Sequence, residues 1–211
     1  NHSRHGIISY SGTIKRLIIA NNYCTENGWA GIYVTGADAN DGWVIVQGNY
    51  TKSNGTAANS VDGNIVLTDC ANIIVDGNIS ETAIRRGIYT NGVSNIIISN
   101  NLITSPTEVG IYCYQSWQRI TLSNNMIINA GSTGIATIGA SIGVNTDFVV
   151  NGNTISEPAG DALYLNPSDS ARILITNNIL TKSGANTLNG IRLKDGSKVN
   201  IADNIIKGFD Y

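Results

Sequence analysis

Few side chains in this chain could move protons, so the candidates for acid–base chemistry are limited. The 211 residues include only four glutamates and two histidines, and 13% of the residues are charged. Glycosidases use two carboxylates, about 5–5.5 Å apart when they retain configuration and about 6.5–9.5 Å apart when they invert it. The candidate acids are Asp62, Glu108 and Asp161, and Arg85 and Arg86 lie between the first two in sequence.

An internal repeat gives these residues a common setting. An asparagine recurs every 23 to 29 residues, follows Asn, Gly or Asp, and has an apolar residue three and five positions before it. A second column, mostly Gly-Ile, opens the next apolar segment in each unit. The asparagines of the first column are Asn22, Asn49, Asn78, Asn101, Asn125, Asn153, Asn178 and Asn204. One unit of about 26 residues cannot bury its own apolar face, but stacked units can, so the repeat predicts a solenoid of about eight coils with an asparagine ladder.

The pattern I-x-x-N-N-x-I followed by G-I-Y resembles the right-handed parallel β-helix repeat of the pectate-lyase-like superfamily. The resemblance covers nearly all of residues 1–211 and implies an all-β, single-stranded parallel β-helix. That superfamily includes pectin-degrading enzymes, alginate epimerases and bacteriophage tailspike depolymerases, and the tailspikes are the most similar group. Because the chain begins and ends inside a coil without a capping helix, we expect one β-helix domain taken from a longer protein.

Tyrosines recur on one outer face of the predicted β-helix. Residues alternate between the two faces of a strand, which places Tyr89, Tyr112 and Tyr164 in one outward column and Tyr114 two residues further on. Flat aromatic faces beside Asn and Thr suit sugar rings, whose faces are apolar and whose rims are polar. We therefore expect a glycan-binding face; the alternative is that tyrosine is simply a good strand residue.

The candidate acids lie beside this tyrosine column. Asp62, Arg85 and Glu108 occupy the same position in successive coils, so the two acids are two strand spacings, roughly 9.6 Å, apart. One interpretation is an acid and base pair, with Arg85 and Arg86 holding anionic sugar groups and Asp161 as a further acid. The other is an Asp–Arg–Glu charge ladder that keeps the coils in register.

Together these features favour recognition and hydrolytic cleavage of a bacterial surface polysaccharide. The alternatives are a non-catalytic structural or adhesive shaft, and a lyase that acts on uronic acids. The resemblance to tailspikes implies an extracellular or virion-surface location, with secretion by a bacterium as the alternative.

Two outward columns beside the ladder asparagine are apolar where a water-facing column should be polar. One lies four residues before that asparagine and the other directly after it, and most members are Ile, Leu, Val, Tyr or Met. Together these columns form an apolar stripe on the order of 34 Å tall, which is a larger apolar surface than a monomer usually exposes. We expect a homo-oligomer, a trimer by resemblance to the tailspikes; cover by other segments of the same chain is the alternative.

Composition excludes several other classes of function. The net charge of −2 favours neither nucleic acid nor an anionic membrane surface, and no stretch approaches 18 apolar residues. Phosphate-loop, zinc and calcium motifs are missing, so we expect no metal and no cofactor. Cys24, Cys70 and Cys113 have no metal-ligand spacing and are interpreted as core or turn residues. His5 is interpreted as inert, although proton transfer by it stays open.

Overall fold

The computed structural model describes residues 4–10, 14–36, 42–55, 63–115, 118–138, 147–166, 172–183, 188–194 and 198–209. Over these ranges the chain forms 24 strands of three to six residues. Each coil contributes one strand to each of three sheets, and each sheet contains eight strands. Six coils therefore have a neighbour on both sides, and two are terminal. Asp62 lies outside the described residues.

The three sheets run along the length of the solenoid. Sheet 1 contains β1 (Ile7–Tyr10), β4 (Ile32–Thr35), β7 (Gly63–Thr68), β10 (Arg86–Asn91), β13 (Ile111–Tyr114), β16 (Ile135–Ile138), β19 (Leu163–Asn166) and β22 (Ile191–Leu193). Sheet 2 contains β2 (Arg16–Ala20), β5 (Trp43–Gln47), β8 (Asn72–Asp76), β11 (Asn95–Ser99), β14 (Arg119–Ser123), β17 (Asp147–Asn151), β20 (Arg172–Thr176) and β23 (Lys198–Ala202). Sheet 3 contains β3 (Tyr23–Thr25), β6 (Tyr50–Lys52), β9 (Ile79–Glu81), β12 (Leu102–Thr104), β15 (Met126–Ile128), β18 (Thr154–Ser156), β21 (Ile179–Thr181) and β24 (Ile205–Lys207).

Strands that are neighbours in a sheet are parallel and come from successive coils, as in the pairing of Ile88 with Ile111. The inward side chains of all three sheets form one core of Ile, Val and Leu. The predicted all-β parallel solenoid is therefore confirmed. Over the described ranges, no helix is long and apolar enough to span a bilayer.

The repeated asparagines form the predicted ladder at the turn between sheets 2 and 3. The backbone N–H and Nδ2 of Asn78 both donate to Asn101 Oδ1, at 2.9 and 3.0 Å, and Nδ2 also donates to Val46 O at 2.9 Å. The residue before each ladder asparagine has φ between 55° and 67°. Asn, Gly and Asp tolerate this left-handed conformation better than other residues, which explains why only they occupy that position.

The glycine column follows from the close stacking of coils at the start of sheet 1. A Cβ at Gly110 would lie 2.6 Å from Gly134 O and 2.6 Å from Ile127 Cγ2. Such contacts are too short for carbon, so this position needs a residue without a side chain.

The two apolar columns that flank the ladder lie on the outside, as predicted. Ile18, Ile97 and Leu174 of sheet 2 are exposed. In sheet 3 the exposed members are Tyr23, Ile79, Met126, Ile179 and Ile205.

Candidate functional site

The outer face of sheet 1 carries the predicted tyrosine column. Tyr89 pairs with Tyr112 in the adjacent strand, and Tyr112 pairs with Ala136. Ala136 in turn pairs with Tyr164, and Tyr164 pairs with Arg192. The parallel register therefore brings residues that are far apart in sequence into a single line.

Arg86 lies over two of these rings. Its Cζ is 4.6 Å from the centroid of Tyr89 and 5.0 Å from that of Tyr112, and the two rings are stacked at 5.6 Å. Tyr89 is only 5% exposed, whereas Tyr112 and Tyr114 are half-buried and lie 5.9 Å apart. Tyr89 therefore supports the guanidinium group, and Tyr112 and Tyr114 present the more accessible aromatic surface.

Glu108 joins this group from the neighbouring coil. Its Oε1 accepts a hydrogen bond from Arg85 Nε at 2.8 Å, and its Oε2 lies 3.7 Å from Arg86 Nε. The Glu108 side chain is 37% exposed, so solvent and ligands reach it. The structure thus brings together the predicted Arg85, Arg86 and Glu108, while Asp62 lies outside the described residues.

Burial affects the titration of the aromatic cluster. It lowers the pKa of Arg86, with a smaller lowering from Arg85 that Glu108 opposes. A guanidinium group nevertheless keeps its charge, because its ordinary pKa lies far above neutral pH. Burial also raises the pKa values of Tyr89 and Tyr112, so both hydroxyls remain protonated at neutral pH and can donate hydrogen bonds.

Asp161 belongs to a second group that also combines a carboxylate, a guanidinium and a tyrosine ring. Its Oδ1 accepts hydrogen bonds from the backbone N–H of Asn189 at 2.9 Å and from Asn189 Nδ2 at 3.0 Å. Its Oδ2 lies 3.6 Å from Arg192 Nη1, and Arg192 Cζ lies 5.0 Å from the centroid of Tyr164. Sequence reasoning missed Arg192, although its position one coil from Tyr164 in the same column was a usable signal.

A further aromatic group lies at the other end of sheet 1. The His5 ring stacks on Tyr33 at 4.5 Å and meets Trp29 edge-on at 5.1 Å. His5 Nδ1 accepts a hydrogen bond from the backbone N–H of Ala30 at 3.1 Å, and burial lowers the pKa of His5. The sequence did not predict this group, because His5 and Trp29 precede their strands and only Tyr33 lies in the tyrosine column.

The cysteines are buried, as predicted. Cys24, Cys70 and Cys113 are all buried thiols that form no disulfide. Burial raises the pKa of Cys24, and it raises that of Cys113 to about 12. Within the described part of the chain, no three His, Cys, Asp or Glu side chains are grouped so that they could hold a metal ion.

Three parallel sheets around one apolar core, with an asparagine ladder at one turn, define a parallel β-helix protein. The family model described as periplasmic copper-binding protein (NosD) matches residues 1–151 and, in a second overlapping match, residues 59–209. The chain therefore belongs to the NosD family. The second match begins 58 residues after the first (59 minus 1), which is about two coils, as expected of a repeat. No curated protein and no solved structure gives a significant match.

Proposed function

We propose that this chain recognises a bacterial surface polysaccharide on the outer face of sheet 1 and hydrolyses it. The observation that carries the proposal is the repeated grouping of a carboxylate, a guanidinium and a tyrosine ring along one column. Glu108, Arg86 and Tyr112 form the first group. Asp161, Arg192 and Tyr164 form the second. Aromatic faces bind sugar rings, and guanidinium groups bind anionic substituents.

The spacing between the two groups suits a sugar ring. Tyr112 and Tyr164 flank Ala136 in the column, so their Cα atoms are two strand spacings, about 9.6 Å, apart. Ala136 itself is only 4% exposed, so a bound sugar would lie over the outer edges of the two rings. A pyranose there would contact an aromatic ring on each side, with Arg86 and Arg192 near opposite ends of the bound segment.

Hydrolysis at this face would use Glu108 with a second acid. One carboxylate takes a proton from water as the water oxygen bonds to the anomeric carbon, and the other protonates the departing glycosidic oxygen. Asp62 is the proposed partner. Asp161 is a candidate too, although its hydrogen bonds to Asn189 also suit a residue that positions the backbone just before β22.

A pair of glutamine substitutions tests the hydrolase proposal. Glu108→Gln removes the proton-transfer group, so we expect a 10²–10⁴-fold loss in the release of reducing ends from capsular polysaccharide. Glu157→Gln is the control, since Glu157 directly follows strand β18 of sheet 3, away from the sheet 1 face, and accepts hydrogen bonds from Ser183. Equal turnover by Glu108→Gln and the unchanged protein would overturn the catalytic assignment.

A non-catalytic binding shaft is the second candidate. The observation in its favour is that the acids already have partners: Glu108 binds Arg85, and Asp161 binds Asn189. A shaft would bind the polysaccharide but release no product. A lyase, the third candidate, would instead release 4,5-unsaturated uronates, which absorb in the ultraviolet.

The family's description bears on location and on metal. It names periplasmic proteins, and we propose a location outside the cytoplasm for this chain, with the surface of a phage tail as the more specific alternative. It also names copper. The described residues do not fit a copper centre, because all three cysteines are buried, burial raises the pKa of Cys24 and Cys113, and His5 Nδ1 is bound to the Ala30 N–H.

The outer column of sheet 3 is the proposed contact between copies of the chain. Tyr23, Ile79, Met126, Ile179 and Ile205 are exposed along its length. Burying them would remove apolar surface from water, which supports a homo-oligomer, and a trimer is the proposed state.

A further inference from the structure

A row of cavities follows the outer face of sheet 2, away from the tyrosine column. The volumes of three of them are about 370, 450 and 440 Å³ from the first coils to the last. The middle cavity is lined by Trp43, Asn72, Asn95, Ile96, Ile97, Arg119 and Thr121. Its volume is in the range of small-ligand sites, and its wall contains an aromatic ring, two amides and one guanidinium.

Four of these residues form one continuous wall. Trp43 pairs with Asn72, Asn72 with Asn95, and Asn95 with Arg119, so they occupy the same position in four successive coils. Three strand spacings separate the ends of the wall, roughly 14 Å between Cα atoms. That length suits two linked sugar rings.

The amides of the wall are fixed and only partly satisfied. Asn95 Nδ2 donates to Asn72 Oδ1 at 2.8 Å, and Asn72 Nδ2 donates to Gly42 O at 3.0 Å. Asn95 Oδ1 is buried and accepts no hydrogen bond from the described residues. A buried acceptor without a donor is costly. Because Asn95 Oδ1 is closed off from the cavity surface, a ligand hydroxyl would contact the two half-buried amides through their accessible atoms.

The charge along this face is strongly positive. Lys15 and Arg16 line the neighbouring cavity, which shares Trp43 with the middle one. Asp147 is the acid among the residues that line the three cavities, and Arg172 binds it at 2.6 and 2.8 Å. Arg119 is the register neighbour of Asp147, but among the described residues Asp147 forms its ion pair with Arg172 and not with Arg119. The cavities therefore present more cations than acids to an anionic ligand, although the chain is net negative.

We propose that the middle cavity binds an acidic disaccharide unit of a polysaccharide. One sugar ring packs on the Trp43 face, the Asn72 and Asn95 amides contact hydroxyl groups, and Arg119 binds the carboxylate. Aromatic and amide groups together favour a sugar over an acidic peptide. This site lies on a different sheet from the proposed hydrolytic face and does not depend on it.

Titration with digalacturonate, followed through the tryptophan indole N–H signals in NMR spectra, tests the proposal. We expect the Trp43 signal, assigned with Trp43→Phe, to shift at millimolar ligand, and neutral galactobiose to leave it in place. Arg119→Gln should weaken binding at least ten-fold. Lys198→Gln is the matched control, since it removes a cation of the last cavity, three coils beyond Arg119 in the same column, and we expect a change below two-fold.

Three results would overturn the proposal. The first is a Trp43 signal that does not move, including the case in which only Trp29 of the sheet 1 face responds, a result that would still support the hydrolytic face. The second is equal binding of galactobiose, which would remove the role of charge. The third is an equal response to tetraglutamate, which would identify an acidic-peptide site.

Discussion

At the scale of single residues, the ladder position shows why one residue type is required. Asn101 Oδ1 accepts from the backbone N–H and Nδ2 of Asn78, while its own Nδ2 donates to Val75 O, Ser99 O and Asn125 Oδ1. An acceptor and two donor hydrogens on one planar group are needed, which aspartate, serine and leucine do not supply.

Replacement of a central ladder residue should therefore be costly. Asn101→Ala leaves several buried groups unpaired, and we expect a loss of about 3–5 kcal/mol in the free energy of unfolding, measured by urea denaturation. Asn22→Ala is the control at the half-buried end of the ladder, where a loss of about 1 kcal/mol is expected. If Asn22→Ala cost as much as Asn101→Ala, the ladder would not stabilise the fold in this way.

His5 gives the fold a dependence on pH. Burial lowers its pKa below the ordinary 6.5, and Nδ1 accepts the Ala30 N–H only when it carries no proton. The unfolded state therefore binds a proton more readily, so the contribution of His5 to stability is present above about pH 6.5 and is lost as the pH falls. An NMR titration of the His5 ring should give a pKa below the value measured in urea; a higher value would contradict this.

At the scale of the strand and turn, glycine is required for different reasons in two columns. One column opens sheet 1, and the other directly precedes the ladder asparagine. Position 110 has no room for a side chain, because the neighbouring coil approaches closely. Gly77 needs only a left-handed backbone, since a Cβ there would meet nothing within 4 Å. Asn100 and Asn124 fill the position of Gly77 in other coils.

These requirements predict opposite outcomes for two glycine substitutions. Gly110→Ala forces a methyl group against Gly134 O and Ile127, and we expect a loss of about 3 kcal/mol in unfolding free energy. Gly77→Asn should change it by less than about 0.5 kcal/mol. Thermal or urea denaturation compares the two, and equal losses would show that stacking distance is not what selects glycine at Gly110.

The sequence predicted most of the strands and turns, but not all of them. The period and the alternation predicted the strands, the ladder and the outward tyrosines, because these depend on spacing alone. A second, shorter ladder was missed. Asn27 donates its backbone N–H to Asn54 Oδ1, and Asn54 donates its own to Asn64 Oδ1. Asn54 and Asn64 are only 10 residues apart, which breaks the period that revealed the main ladder.

The candidate site was less predictable for the same reason. Spacing placed Arg85, Arg86 and Glu108 in neighbouring coils, but it could not show that Arg86 lies on Tyr89 and buries it. Side-chain direction within a turn depends on packing rather than on period. The wall of Trp43, Asn72, Asn95 and Arg119 was not predicted, because its residues are of different chemical types and form no repeated pattern.

At the scale of the whole molecule, the apolar outer faces divide into two uses. Both sheet 2 and sheet 3 expose apolar side chains, but the row of cavities lies along the outer face of sheet 2. Sheet 3 is therefore the better surface for contact between copies.

Sedimentation equilibrium at micromolar concentration tests that assembly. We expect the mass of three chains for the unchanged protein and of one chain for Met126→Lys combined with Ile179→Lys, because two buried lysines per copy are costly. Gln47→Lys, on an exposed position of sheet 2, should remain a trimer. A monomer in every sample would remove the homo-oligomer proposal.

The connectivity of the solenoid has a mechanical consequence. Among the described residues, the strands of each coil pair only with those of the coil before it and the coil after it. Tension applied to the two ends would therefore separate one interface between coils at a time. Neighbouring ladder asparagines are 23 to 29 residues apart, and each rupture would release that much chain. Fully extended, this is about 8–10 nm per step. Under load the molecule would therefore unfold one coil at a time while the remaining coils stay folded. Each step would lengthen it and dissipate mechanical energy.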